Sequence, residues 1–217
     1  MKPYRRLGVI KNPNDLLKYC QSLNLQSSTR SYSAEKGRLE GWIKYGSNLR
    51  SMKPVTSHNY IEPVVQHKIL TYSSGYVTPP TNKIEELGKR VMERGTNNPI
   101  WHSCFVTNNG GIGWHRDHGI FEHWGVIINL GSDAILEIAN NFRLEVKDGD
   151  ITNKSVLKLK HGQIITLNTK CLHRATIKDK SSRYMMLFHR FKDGWEKHLP
   201  EATKRIYERI ASDSYSS

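Results

Sequence analysis

The chain is poor in several things, and each absence narrows its function. Only three cysteines occur, Cys20, Cys104 and Cys171, widely spaced and with no Cys-x-x-Cys. That excludes a disulfide framework and predicts a reducing compartment, cytoplasm or nucleus. No apolar run approaches the roughly 20 residues that span a bilayer, and no long apolar segment follows the basic N-terminus, so neither a membrane span nor a secretion signal is expected. No internal repeat and no long low-complexity segment is present. Acidic residues are also scarce: 20 Asp and Glu stand against 33 Lys and Arg.

The resulting net charge of +13 favours polyanions as partners, nucleic acid first among them. Residues 1–60 carry eleven Lys or Arg and three Asp or Glu. They are read as a basic N-terminal extension, with a catalytic domain at 61–217. Within the extension, Asn12-Pro13 predicts a helix start, with Leu16, Cys20 and Leu23 on one face. Trp42, Tyr45 and Arg50 lie where aromatics and cations interleave. That mixture suits stacking on bases beside phosphates, and equally suits a loop anchored to a core.

The 217 residues suit one domain with a sizeable core. Val64–Tyr72 predicts a strand, 82–94 a helix ending at Gly95, and 100–107 another strand. Short strand candidates follow at 125–130, 134–139, 142–146, 156–160, 163–168 and 183–191, divided by turn residues. A last helix is expected near 200–211, with Ala202, Ile206 and Ile210 inward. The fold class is α+β, mainly β: a sandwich or barrel with N-terminal helices and a C-terminal helix.

The chemistry centres on Gly110-Gly111-Ile112-Gly113-Trp114-His115-Arg116-Asp117-His118-Gly119. In an extended strand His115 and Asp117 point to one side. His173 comes 58 residues after His115, and Arg183 ten after that. Two imidazoles and one carboxylate on one face of an ion leave three positions open, the arrangement of non-haem Fe(II) oxygenases. Arg183 opens an apolar strand and suits a bidentate pair with a dicarboxylate. Arg190, at an odd offset from it, is read as a cation on the other face. Trp114 and His118 flank the pair and are candidate substrate contacts. A zinc site from His102, Cys104, Cys171 and His173 is the competing reading, at a spacing unlike structural zinc sites.

From about residue 68 to 191 the chain resembles the Fe(II)/2-oxoglutarate dioxygenases, and within them the AlkB-like group. The resemblance rests on an ordered set: Tyr72-x-x-Gly75 with Pro79, then Ile112-Gly113-x-His115-Arg116-Asp117. Ile128-x-Leu130-Gly131 with Ala134 follows, then Leu159-x-His161-Gly162-Gln163-Ile164-Ile165, His173 and Arg183. It implies a double-stranded β-helix (jelly-roll) core, with Fe(II) on His115, Asp117 and His173. It further implies 2-oxoglutarate held by Arg183 and touched by Asn108, O2 as oxidant, and succinate and CO2 as products. The substrate C–H bond would be hydroxylated or demethylated, on a nucleic-acid base first. A protein side chain or a small molecule is the alternative. A non-catalytic nucleic-acid-binding protein is the remote one.

The chain departs from that group at three places. Asn108-Asn109 runs directly into Gly110-Gly111 where relatives have Asn-x-Tyr and a longer loop. The last strand reads Arg183-x-Met185-x-x-x-His189 where repair enzymes have Arg-x-Asn-x-x-x-Arg. His118-Gly119 replaces acidic residues after the His-x-Asp pair. All three leave the iron set intact and fall on the side of base recognition.

Overall fold

Trp124–Gly131 is buried on both faces and apolar at nearly every position, as suits a strand covered on both sides. It lies inside the larger of two sheets. The structure, a computed structural model, describes residues 2–27, 37–43, 77–78, 80–117, 121–140, 151–177 and 182–194. In chain order the elements are β1 (Tyr4–Val9), α1 (Pro13–Gln21), β2 (Gln26–Ser27), β3 (Leu39–Ile43), β4 (Val77–Thr78) and α2 (Asn82–Thr96). Then follow β5 (Ser103–Asn108), β6 (Ile112–His115), β7 (Trp124–Gly131), β8 (Ala134–Ala139), β9 (Lys154–Leu159), β10 (Gln163–Asn168), β11 (His173–Ile177) and β12 (Arg183–His189).

The larger sheet runs β1-β10-β7-β12-β5-β3-β2, with β4 also beside β3, and the smaller runs β6-β11-β8-β9. All pairings are antiparallel except β3 with β4. Alternation of side chains along each strand sorts the core into two layers. Val126, Ile128 and Leu130 of β7 join Leu16, Cys20, Ile84, Leu87 and Val91, so α1 and α2 cover one face of the large sheet. Ile127, Ile165 and Leu187 meet Leu136, Ile138, Leu157 and Ala175 between the two sheets.

The α2 helix starts where expected: Thr81 caps it by accepting from the Ile84 amide at 3.4 Å. It ends at Asn97, in the left-handed conformation at φ 60°, rather than at Gly95. Gly95 has another task, since a Cβ there would meet Val126 Cγ2 at 2.5 Å. Asn12 precedes α1 but its side chain caps nothing, so Pro13 alone marks that start.

Five strands have no counterpart among the expected ones, β1, β2, β3, β4 and β11, and two of them show why. β1 is an edge strand with exposed residues on both sides of Leu7, so it shows no clean alternation. β11 has only five residues, and its buried side, His173, Ala175 and Ile177, carries a single bulky apolar residue. Because β1 pairs with β10 and β3 with β5, parts of the first 60 residues are woven into the main sheet. The expected strands at 64–72 and 142–146, the helix near 200–211 and the boundary at residue 60 lie outside the described residues. No helix among the described residues is long and apolar enough to cross a membrane.

Candidate metal centre

His115 ends β6 and His173 begins β11, and the two are partners across that pairing. The register slips between His173 and Ala175, which faces Ile112. Three residues of β6 therefore span two of β11, a bulge that turns both Ile112 and His115 inward. The imidazole centroids stand 4.2 Å apart.

Each ring is fixed by the same local device. His115 Nδ1 lies 2.8 Å from the Gly113 carbonyl, and His173 Nδ1 lies 2.9 Å from that of Cys171. A carbonyl can only accept, so each Nδ1 donates, and in the neutral ring this tautomer leaves the Nε2 lone pair for a metal. Asp117 closes the set. Its amide donates to Thr169 O at 3.0 Å, and its Oδ1 lies 3.7 Å from both His115 Nε2 and His173 Nε2. The three ligand atoms fall within 4.8 Å of one another.

Protonation states match the geometry. Burial, reinforced by His173, pushes the His115 pKa down to about 3, so its ring is neutral at pH 7. Burial pushes the Asp117 carboxyl up, but the His189 hydrogen bond and the surrounding imidazoles outweigh it, and the group sits well below the usual range. Neutral imidazoles and an ionised carboxylate are the forms that bind a divalent metal. The set fits Fe(II) in donor type and in number. Arg116 and Lys170 tether the ligand loop: Arg116 Nε donates to Lys170 O at 2.9 Å, and Lys170 Nζ to Asp117 O at 3.4 Å.

Arg183 is 4% exposed and lies inward on β12. Its Nε donates to Asn129 Oδ1 at 2.8 Å. Among the described residues no carboxylate pairs with it. Burial, then the charge of Arg38, presses its pKa down to about 9, still charged at neutral pH. Asn129 is itself braced, donating to Ser132 O at 3.0 Å and Leu159 O at 3.3 Å. His161-Gly162 locks the same corner, with Gly131 N donating to His161 Nδ1 and Gly162 N to Asn129 O. That part of the motif therefore serves the arginine's platform.

The other candidates fall elsewhere. Asn108 is opposite Tyr184 in the sheet and donates to its hydroxyl at 2.9 Å. Tyr184 belongs to the helix-side core, so Asn108 points away from the face that carries Arg183. Trp114 faces outward beneath Arg174, whose guanidinium carbon is 4.8 Å from the ring centroid. Trp42 is buried against Phe105 and Phe121, at 4.7 and 6.4 Å between centroids, which matches the anchoring reading of that stretch. Arg190 is half-buried and its guanidinium lies 3.4 Å from Asp193. Tyr45, Arg50 and His118 lie outside the described residues. The zinc alternative does not assemble, because Cys104 lies in the helix-side core and Cys171 between the sheets. His102 Nδ1 is taken by the Phe191 amide at 2.8 Å.

Two residues were not singled out by sequence reasoning as parts of the site. His189 Nε2 lies 3.0 Å from Asp117 Oδ2. Arg38, buried and paired with Glu40 at 3.0 Å, lies close enough for its charge to act on both His115 and Arg183. The signal for Arg38 is the period of two in Arg38-x-Glu40-x-Trp42, which sets Arg38, just before β3, on the same face as Glu40 and Trp42.

No protein-family model matches the chain, and no curated protein does. Among solved structures it is similar to the ribosomal oxygenase YcfD of Escherichia coli, at 15% identity over 43% of this chain and 25% of that one, TM-score 0.32. It thus spans about a quarter of that protein's length. It is also similar to AviO1 of Streptomyces viridochromogenes Tue57, at 11% identity over 87% and 89%, TM-score 0.45. A third is an oxidoreductase of the 2OG-Fe(II) oxygenase family from Burkholderia pseudomallei, at 16% over 42% of each chain, TM-score 0.31. Likeness at this level carries no functional argument; the residues carry it.

Proposed function

We propose that the protein is an Fe(II)- and 2-oxoglutarate-dependent dioxygenase that oxidises a C–H bond, with a nucleic-acid base as its first candidate substrate. The observation that carries this reading is the convergence of His115 Nε2, His173 Nε2 and Asp117 Oδ1. Both imidazoles present a lone pair and the third donor is anionic, which is the donor set of a non-haem iron oxygenase. Bound iron supplies oxygen activation coupled to oxidative decarboxylation of 2-oxoglutarate to succinate and CO2. The chain supplies orientation and exclusion of water. Arg183, buried and without a carboxylate among the described residues, is the anchor for the far carboxylate of the cosubstrate. From β5 to β12 the chain passes back and forth between the two sheets, except for the β8–β9 hairpin within the smaller one, which is the order of a double-stranded β-helix and the fold we assign.

The nucleic-acid part of the reading rests on the net charge of +13 and on the basic first 60 residues. A target base would have to be single-stranded or flipped out to reach a centre between two sheets. Hydroxylation of an N-methyl group would release formaldehyde; hydroxylation elsewhere would leave the product in place.

The test is turnover. Protein with Fe(II), ascorbate, oxygen and 2-oxoglutarate is offered modified oligonucleotides, peptides and metabolites, with products read by mass spectrometry. Succinate formed with an altered oligonucleotide is the expected result. No succinate with any of the three would sink the enzyme reading. A product on peptides or metabolites alone would transfer the activity to the alternative substrate class. Binding to single-stranded DNA or RNA should fall steeply with salt, and a flat response would remove the nucleic-acid partner.

A further inference from the structure

Asp117 has two oxygens, and the structure separates their tasks. Oδ1 faces the two ligand imidazoles at 3.7 Å each. Oδ2 lies 3.0 Å from His189 Nε2. We propose that His189 is a positioning residue that holds Asp117 as a one-oxygen ligand, keeping the remaining positions on the ion open for the cosubstrate. This rests on the metal-centre reading above.

The ring is built to do this one thing. Leu187 lies in the layer between the sheets, so His189, two residues on, projects the same way. It is 2% exposed, so solvent cannot compete for Nε2. Phe121 stacks on it, with centroids 4.1 Å apart and planes at 14°, and removes its freedom to tilt. Phe121 is held in turn by its bridge to Phe191. The backbone at His189 is fixed as well, since its carbonyl accepts from His102 N at 2.9 Å.

A carboxylate can bind a metal through one oxygen or both. With Oδ2 engaged by an N–H donor, the second mode requires that hydrogen bond to break. Without the donor, Asp117 is free to swing its second oxygen onto the ion and fill a position that a 2-oxo acid chelate needs. Metal binding and cosubstrate binding should therefore respond differently when the donor is lost, which a purely structural role would not produce.

The test uses Co(II) as a spectroscopic probe with the full chain. Co(II) affinity and visible spectrum are measured first, then 2-oxoglutarate affinity of the Co(II)-loaded protein, for wild type, His189→Phe and His189→Gln. His189→Phe keeps an aromatic ring and removes the donor; His189→Gln keeps an N–H. The expected result is a loss of roughly 10- to 100-fold in 2-oxoglutarate affinity for His189→Phe. Its Co(II) spectrum should be altered and its Co(II) affinity should change less. His189→Gln should stay near wild type. If His189→Phe does not fold, as judged by melting without metal, His189→Leu makes the same comparison. Unchanged spectrum and 2-oxoglutarate affinity in the variant without a donor would overturn the proposal. So would His189→Gln as impaired as His189→Phe, since shape rather than donation would then decide. Wild type that binds no Co(II) would instead overturn the metal centre itself.

Discussion

His173 stands directly across the β6–β11 pairing from His115, and each imidazole is tied by Nδ1 to the carbonyl two residues before it. The two rings are thus oriented before any ion arrives, and a metal does not have to order them. This predicts that the ligands act together while the fold does not depend on them. His173→Ala or Asp117→Ala should lower Fe(II) or Co(II) affinity by more than about 100-fold, beyond the range typical of outer residues. Circular dichroism should be unchanged. Isothermal titration measures the loss, and a variant that binds as tightly as wild type would exclude that residue from the ligand set.

Arg183 makes a separate prediction because it lies on the other sheet. Its Nε is already used by Asn129, which leaves the terminal nitrogens for an anion. Hydrogen bonds to charged groups contribute about 1.5–3 kcal/mol each. Arg183→Lys should therefore weaken 2-oxoglutarate binding by about 10- to 100-fold, with Co(II) affinity unchanged. If 2-oxoglutarate binds the variant normally, the anchor is a different cation, and Arg38 is the next to substitute.

The candidate ligand set could be picked out of the sequence because chemistry-bearing residues at telling intervals survive without any knowledge of packing. Its partners could not. The His115–His173 pairing depends on a bulge, and nothing in Ile112-Gly113-Trp114-His115 announces where a strand gains a residue. His189 looked like a departure from the repair-enzyme pattern; only the structure shows that its ring reaches Asp117 Oδ2. Asn108 illustrates the opposite case. Position along the chain suggested the cosubstrate, but one residue of strand alternation turns it toward Tyr184. Strands with apolar runs on both faces, such as β7 and β12, were read nearly to their ends. The edge strand β1 was not, since its burial pattern is mostly exposed.

Gly88 offers a test of packing against propensity. In a helix interior, Gly→Ala ordinarily gains up to about 1 kcal/mol. Here the added Cβ would fall 2.2 Å from Trp101 Nε1. Trp101 is 2% exposed, donates to Glu85 O at 3.3 Å and stacks edge-on against Phe188, so its ring has little room to yield. Gly88→Ala should therefore destabilise by about 1–3 kcal/mol, as overpacked cores do. Urea denaturation gives the sign directly, and a stabilised variant would show that the ring moves freely.

The helix-side core also sets how stability responds to alkali. Burial pushes the Cys20 thiol up to about 12, and burial with Cys20 nearby pushes Cys104 well above its usual value. Burial likewise raises Tyr19 to about 12. The folded chain holds these protons after the unfolded chain has lost them, so the stability they contribute is complete below about pH 9 and declines above it. For Cys20 alone the decline is about 1.4 kcal/mol for each pH unit between 9 and 12. Other groups titrate over the same range, so the informative quantity is the difference in slope between wild type and Cys20→Ala in urea denaturation at pH 8, 9 and 10. The variant should lose stability less steeply. Equal slopes would mean that the thiol ionises in the fold as it does in water. Alkylation with iodoacetamide at pH 8 checks the same point chemically: Cys20 and Cys104 should stay unmodified until urea unfolds the chain, because only the thiolate reacts.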